Sequence, residues 1–142
     1  MRANVALLIG LLCGVPTLAN GQNATATERY LLQERCGKQA AAAFAKDYVA
    51  NETTKDGQHR TFNYENHYSQ KLNKCFFLEV GVFIEKGKWS KQLRLFDLNE
   101  NKEYGNYYDS DASPTYVFCV VNEMRCSSEK EWRQLAKPYL ED

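Results

Sequence analysis

Four cysteines set behind an export-type leader restrict this chain more than any other feature. Met1–Arg2 gives a short basic start, Val5–Cys13 is an apolar run, and Thr17-Leu18-Ala19 supplies small residues for cleavage. That layout is a secretory signal peptide over residues 1–19, with the mature chain starting at Asn20. Cys36, Cys75, Cys119 and Cys126 would then meet an oxidising compartment, where thiols pair. Residues 20–142 are expected to form one disulfide-stabilised domain. That is enough chain for a real core, which the disulfides supplement. The run at the start is too short to span a membrane comfortably, and no later run is longer, so no stable insertion is expected after cleavage.

Charge narrows the partners. Lys plus Arg and Asp plus Glu each number 18 in 142 residues. Removing residues 1–19 takes away Arg2 and leaves a slightly acidic balance. A nucleic-acid binder would carry a basic excess, and so would a protein held on anionic lipid by charge. Two glycosylation sequons, at Asn23 and Asn51, have meaning only in a eukaryotic secretory pathway.

Local periodicity gives the elements. Leu32, Cys36, Ala40, Phe44 and Tyr48 recur every four residues, which predicts an amphipathic helix over about 27–50. Thr25-x-x-Glu28 is a capping box at its start. Asn51–Arg60 reads as a loop and Thr61–Tyr64 as a short strand. In Cys75–Glu85 the period changes to two. Phe76, Leu78, Val80, Val82 and Ile84 form a uniformly apolar set, expected to face the core. Phe77, Glu79, Gly81, Phe83 and Glu85 form a mixed set, expected to be partly solvated. Trp89–Leu98, Glu103–Tyr108 and Thr115–Val121 follow as strands with short turns between them. Ser128-x-x-Glu131 caps a short helix carrying Trp132 and Leu135, which Pro138 should end or bend.

The expected fold is therefore α+β, with a long N-terminal helix on a four-stranded antiparallel meander and a short C-terminal helix. Both helices are expected on one face, where Leu32, Ala40, Phe44, Trp132 and Leu135 would meet the apolar set and Phe118. Three cysteine pairings are open. Cys119–Cys126 is favoured because a short reversal returns the chain. Cys36–Cys75 is favoured because it ties the helix stripe to the opening of the strong strand. There is no Cys-x-x-Cys redox pair, and the cysteine spacing is not that of a zinc site.

Candidate chemistry is sparse. His67 has Glu65 and Ser69 near it in sequence, but no nucleophile elbow is present. Asp97, Glu100, Glu103, Asp109 and Asp111 read as a solvated acidic rim. Asp109-x-Asp111 lacks the other ligands of a calcium loop. Nine tyrosines are the stronger signal. Tyr64, Tyr68, Tyr104, Tyr107 and Tyr108, with His67, form the candidate binding surface, since tyrosine joins an apolar face to a polar tip. No catalytic, cofactor-binding or metal-binding residue is assigned.

The segments His67-Tyr68-x-x-Lys71-Leu72-Asn73-Lys74-Cys75-Phe76 and Lys137-Pro138-Tyr139-Leu140-Glu141 resemble a group of small exported bacterial proteins of unknown function. Those carry an HYN-x-x-LNKCF-like segment and a KPYMEE-like tail. This chain has Ser69 where the group has Asn. The resemblance implies a periplasmic or secreted bacterial protein and brings no activity, ligand or catalytic residue with it. A long helix before a meander is also similar to the cystatin-like architecture, without its Gln-x-Val-x-Gly inhibitory loop. The expected function is a small exported binding or envelope-associated protein rather than an enzyme. Its partner would be a protein, an envelope polymer or a small molecule. The alternatives are a secreted hydrolase using His67 and an inhibitor acting through Asp109–Ser113.

Overall fold

The computed structural model describes residues 25–113 and 117–141, so the expected leader and the Asn23 sequon lie outside the described residues. Helix α1, Ala26–Asp47, starts at a complete capping box: Thr25 Oγ1 accepts from the Glu28 amide, and the Glu28 carboxylate accepts from the Thr25 amide at 2.7 Å. That reciprocal bond holds the Glu28 carboxyl below its ordinary range. The four-residue stripe puts Cys36 and Ala40 on the buried line.

The sheet is larger than the sequence suggests. Among the described residues it has seven antiparallel strands in consecutive order, not four: β1 Asn51–Thr53, β2 His59–Ser69, β3 Lys74–Glu85, β4 Lys88–Asp97, β5 Lys102–Ser110, β6 Phe118–Val121 and β7 Met124–Arg125. The edge strands β1 and β7 are three and two residues long, too short for a period to show. In β2 the set Thr61, Asn63, Glu65 and His67 is polar, which hides the opposite set of half-buried Phe62 and Tyr64 and buried Tyr68. The β3–β4 turn is a two-residue loop with Lys86 at φ 50° and Gly87 at φ 76°. Both lie in the left-handed region, as a type I′ hairpin turn requires, and its twist matches that of the flanking strands.

Two helices cover the sheet from opposite sides, which corrects the single-face expectation. Helix α2, Glu129–Leu140, lies on the face carrying Phe76, Leu78, Leu93, Leu95, Tyr107, Cys119 and Val121, and Trp132 and Ala136 are buried against it. Helix α1 lies on the other face, against β2 and the odd set of β3. Phe44 meets Tyr64 with ring centroids 4.8 Å apart, Tyr48 meets Phe62 at 5.2 Å, and Tyr64 stacks on Phe77 at 5.4 Å. Each such pair adds about 0.5–1.5 kcal/mol beyond the area it buries. The odd set looks mixed in sequence because of Glu79, yet Glu79 is buried: the Tyr48 hydroxyl donates to it at 2.8 Å and Arg94 lies 3.5 Å away. A charge can face a helix once it is paired. Burial and this bond both raise the Tyr48 hydroxyl pKa above its ordinary value. Ile84 and Phe118, expected in the core, are exposed.

Disulfides join Cys36 to Cys75, with Cα atoms 5.3 Å apart, and Cys119 to Cys126, with Cα atoms 5.0 Å apart. The first ties α1 to β3 and the second closes the β6–β7 hairpin. No helix among the described residues is long and apolar enough to cross a membrane. Two disulfides fit an extracellular or periplasmic setting.

Pro138 sits inside α2 rather than ending it, and the helix continues to Leu140 with Glu141 N–H bonded to Lys137 O at 2.9 Å. So close to the C-terminus the proline removes one bond from a turn about to end. Ser128 caps α2, but the box is not reciprocal: the Glu131 carboxylate accepts from the Ser127 amide and hydroxyl instead.

Helix α2 is also held by charge. Glu129 takes Lys91 of β4 at 2.7 Å and Arg133 at 2.9 Å. Burial alone would raise the Glu129 pKa, but hydrogen bonds and charge from Lys91 and Arg133 outweigh it and hold it below the ordinary value of 4.5. A carboxyl whose folded pKa is depressed stabilises the fold above its unfolded pKa and loses that contribution as pH falls through the folded value. Wild-type melting temperature should therefore drop more steeply than that of Glu129→Gln between about pH 5 and about pH 3. The variant should lose under ~1 kcal/mol at neutral pH, since the pair is partly solvated. Parallel acid titration curves for the two proteins would contradict this.

Candidate functional site

The candidate site is the part of the α1-side sheet face that α1 leaves open. Helix α1 ends at Asp47, and the ring of Tyr48, its C-cap, lies against Phe62 and Phe77, so the cover reaches β2 and the middle of β3. Register then lines residues in transverse rows on this face. Phe83 pairs with Ser90, and Ser90 with Ser110. Gly81 pairs with Gln92, Gln92 with Tyr108, and Tyr108 with Phe118. Glu79 pairs with Arg94, Arg94 with Asn106, and Asn106 with Val120. Phe118 is 43% exposed and the rest of the second row is half-buried apart from the glycine.

Beyond the end of α1 the first row, with Tyr108 of the second, borders a cleft of about 340 Å³, with Phe83 and Tyr108 as aromatic walls and Ser90, Ser110, Gln58 and Lys88 among its polar lining. This is the lower end of the size range of ligand sites. Trp89 also borders it, although alternation sends its side chain to the opposite face with Ile84. Several polar groups here are already engaged. Gln58 donates to Glu85 and accepts from Arg60 Nε at 2.6 Å, and Lys86 lies 3.7 Å from Glu85. The Ser110 hydroxyl donates to Trp89 O and accepts from the Ala112 amide.

Gly81 leaves room for the Phe83 ring that walls the cleft. A Cβ there would lie 3.1 Å from the Phe83 ring and 3.2 Å from the Phe62 ring. Those rings meet edge to face at 5.5 Å across the glycine. Gly81→Ala should push the Phe83 ring toward the cleft and cost about 1–3 kcal/mol by overpacking. Denaturant melts and the aromatic NMR resonances of Phe83 and Tyr108 check it. Unchanged resonances would mean that the rings are not held by this contact.

Next to the cleft lies a charged strip. Arg94 donates to Glu103 at 3.0 and 3.1 Å, stands 4.6 Å over the Phe96 ring, and reaches Glu79. The Glu103 carboxylate also accepts from Asn106. This network is satisfied within itself.

The six residues expected to share one surface are divided by the sheet. Tyr64, Tyr68 and Tyr108 face the α1 side, whereas His67, Tyr104 and Tyr107 face the α2 side. Tyr64 is packed between Phe44 and Phe77. Tyr68 is buried beside the Cys36–Cys75 disulfide and donates to Asn73 at 2.6 Å. Tyr104 joins Phe76 and Tyr139. Tyr107 is buried and donates to Asp109; burial and that bond push its hydroxyl up to about 12. Only Tyr108 reaches the cleft. Phe83, Ser90 and Lys88, which line it with Tyr108, carry no motif in the sequence. Their common feature is parity across neighbouring strands, which appears only once register is known.

Residues of the two alternative chemistries also serve the fold. Glu65, His67 and Ser69 share one side of β2, and the Glu65 carboxylate meets Arg133 at 3.3 Å. The Ser69 hydroxyl is buried and accepts from the Leu72 amide. Asp109–Ser113 is tied down rather than projecting: Asp111 Oδ1 accepts from the Trp89 amide at 2.7 Å, and the Asp111 amide donates back to Trp89 O. The acidic rim is also partly internal. Asp97 is fully buried against Lys74, whose ammonium also meets Glu100 at 2.6 Å. Hydrogen bonds to these two carboxylates raise the Lys74 pKa. Among the described residues no cluster of three metal-ligating side chains occurs.

No family model matches the chain, no curated protein matches it, and no solved structure matches its fold. Fold and site thus define only a class: a disulfide-linked α+β protein with an antiparallel sheet between two helices and one partly open face.

Proposed function

We propose that this is a small exported protein, periplasmic or secreted, that binds a partner on the open part of its α1-side sheet face and performs no reaction there. The observation that carries the reading is the asymmetry of the two faces. The α2 side is closed around Trp132 by an apolar core and leaves Ile84 and Trp89 exposed at the β3–β4 hairpin, while the α1 side keeps half-buried Phe83 and Tyr108 in a cleft beyond the helix end, with the exposed Phe118 beside it. Aromatic rings beside hydroxyl and amide groups offer both apolar contact and directional bonds. The two disulfides and the resemblance to small exported bacterial proteins support the location.

The test is a ligand screen on the intact, disulfide-bonded protein, read by melting temperature, with envelope polymers, small acids, sugars and peptides. A ligand that binds only the native state raises the melting temperature by mass action. Tyr108→Ala should abolish the rise while leaving the ligand-free protein folded. A hit whose stabilisation survives Tyr108→Ala and Phe118→Ala would place binding elsewhere and overturn the reading. Reproducible turnover by the pure protein, lost on a single substitution, would overturn it as well.

A further inference from the structure

The groups left uncommitted in the cleft select the ligand's chemistry. Its carboxylate is partly engaged, Glu85 lying 3.4 Å from Gln58 Nε2 and 3.7 Å from Lys86, and Gln58 Oε1 accepts from Arg60 at 2.6 Å. Among the described residues, the Ser90 hydroxyl, the Tyr108 hydroxyl and the Lys88 ammonium have no side-chain partner within hydrogen-bond or ion-pair distance, and all three can donate. Phe83 and Tyr108 supply flat apolar walls. A cleft with one excess cation, two aromatic walls and hydroxyls that both donate and accept suits an anionic, hydroxyl-bearing ring. Aromatic faces meet the C–H faces of a pyranose, hydroxyl groups meet its oxygens, and Lys88 meets a carboxylate as a charge-assisted bond. The face does not end at the cleft. The row from Gln92 through Tyr108 to Phe118 continues it across β4, β5 and β6, so a chain of rings has further surface to lie on.

Resting on the binding reading above, we infer that the ligand is a carboxylated sugar, held in the cleft as one unit of an acidic polysaccharide that runs on toward Phe118. The carboxylate lies at Lys88, the ring at Phe83 and Tyr108, and the next unit over Phe118.

The experiment titrates the full disulfide-bonded protein with four probes, followed by calorimetry and NMR. They are tetragalacturonate, galacturonate monomer, neutral maltotetraose and sodium sulfate. The acidic tetramer should bind, the monomer about tenfold or more weaker, and the neutral tetramer and sulfate not measurably. Lys88→Gln, at an exposed position that should not affect folding, should weaken the tetramer about tenfold and flatten the salt dependence of its affinity. Phe118→Ala should weaken the tetramer but not the monomer. Equal affinity for the neutral tetramer, or an unaffected Lys88→Gln, would overturn the acidic-sugar inference. A monomer as tight as the tetramer would overturn the polymer. If no saccharide binds but another ligand class shifts the Tyr108 and Phe118 resonances, this inference fails and the binding reading stands. If no probe of any class moves those resonances, the binding reading itself falls.

Discussion

Replacing Cys36 and Cys75 together by alanine should lower the unfolding free energy by roughly 2–5 kcal/mol, a large part of a small domain's stability. The bridge joins positions 39 residues apart and both cysteines are 1% exposed. It closes a long loop in the unfolded chain and fixes α1 to β3 in the folded one. The loop-entropy estimate gives about 4 kcal/mol for that span and about 2–3 kcal/mol for the Cys119–Cys126 pair, whose separation is 7. The β6–β7 hairpin would also keep its backbone bonds without its disulfide, among them Cys126 N–H to Cys119 O at 3.1 Å. Urea melts of the two double variants check the ranking. The Cys36/Cys75 variant should have the lower midpoint, a somewhat steeper slope because its unfolded chain is no longer cross-linked, and a native-like far-UV spectrum, because the α2-side core does not depend on this bridge. A larger loss from the Cys119/Cys126 variant would show that α1 is held mainly by its aromatic contacts.

How much of this was legible in the sequence follows from what each residue reports. The α1 stripe could be read because a helix repeats its buried face locally, and Thr25 and Glu28 lie on the same turn. Both disulfides were legible too, since each joins elements that the chain order already brings together. The strand count was not. In β2 the apolar set is broken by Asn66, and β1 and β7 are too short to show a period. The second covered face was hidden by Glu79, which scores as solvated until Tyr48 and Arg94 are seen beside it. The cleft was illegible for a deeper reason. Phe83, Ser90 and Tyr108 come from three strands, and only register places them on one side. Composition pointed to tyrosine as the binding residue, but four of the five clustered tyrosines serve mainly to fill two opposite faces, and one reaches the opening.

Trp132→Ala should be among the most damaging single substitutions, at about 3–5 kcal/mol. Trp132 is fully buried at the centre of the α2-side core. Its indole N–H donates to Val120 O at 3.1 Å, and its ring packs so closely on β5 that a Cβ at Gly105 would lie 3.2 Å from it. Truncation therefore removes apolar burial, opens a cavity that the sheet cannot close, and breaks the bond that positions α2 over β6. Trp132→Phe separates these effects. It keeps most of the ring volume and loses the donor, so it should cost about 1–2 kcal/mol, near the value of one buried hydrogen bond plus a smaller void. Gly105→Ala forces the same contact from the strand side and should cost about 1–3 kcal/mol. Combined with Trp132→Ala it should cost less than the sum, because the cavity then receives the new methyl group, and neighbouring sites are expected to couple. The sheet stands between this core and the cleft. Below its melting temperature Trp132→Phe should therefore bind any cleft ligand with wild-type affinity, whereas Tyr108→Ala should lose binding with little loss of stability. If Trp132→Phe weakened binding as much as Tyr108→Ala does, the two faces would be coupled through β5, and the ligand site could not be assigned to the α1 side alone.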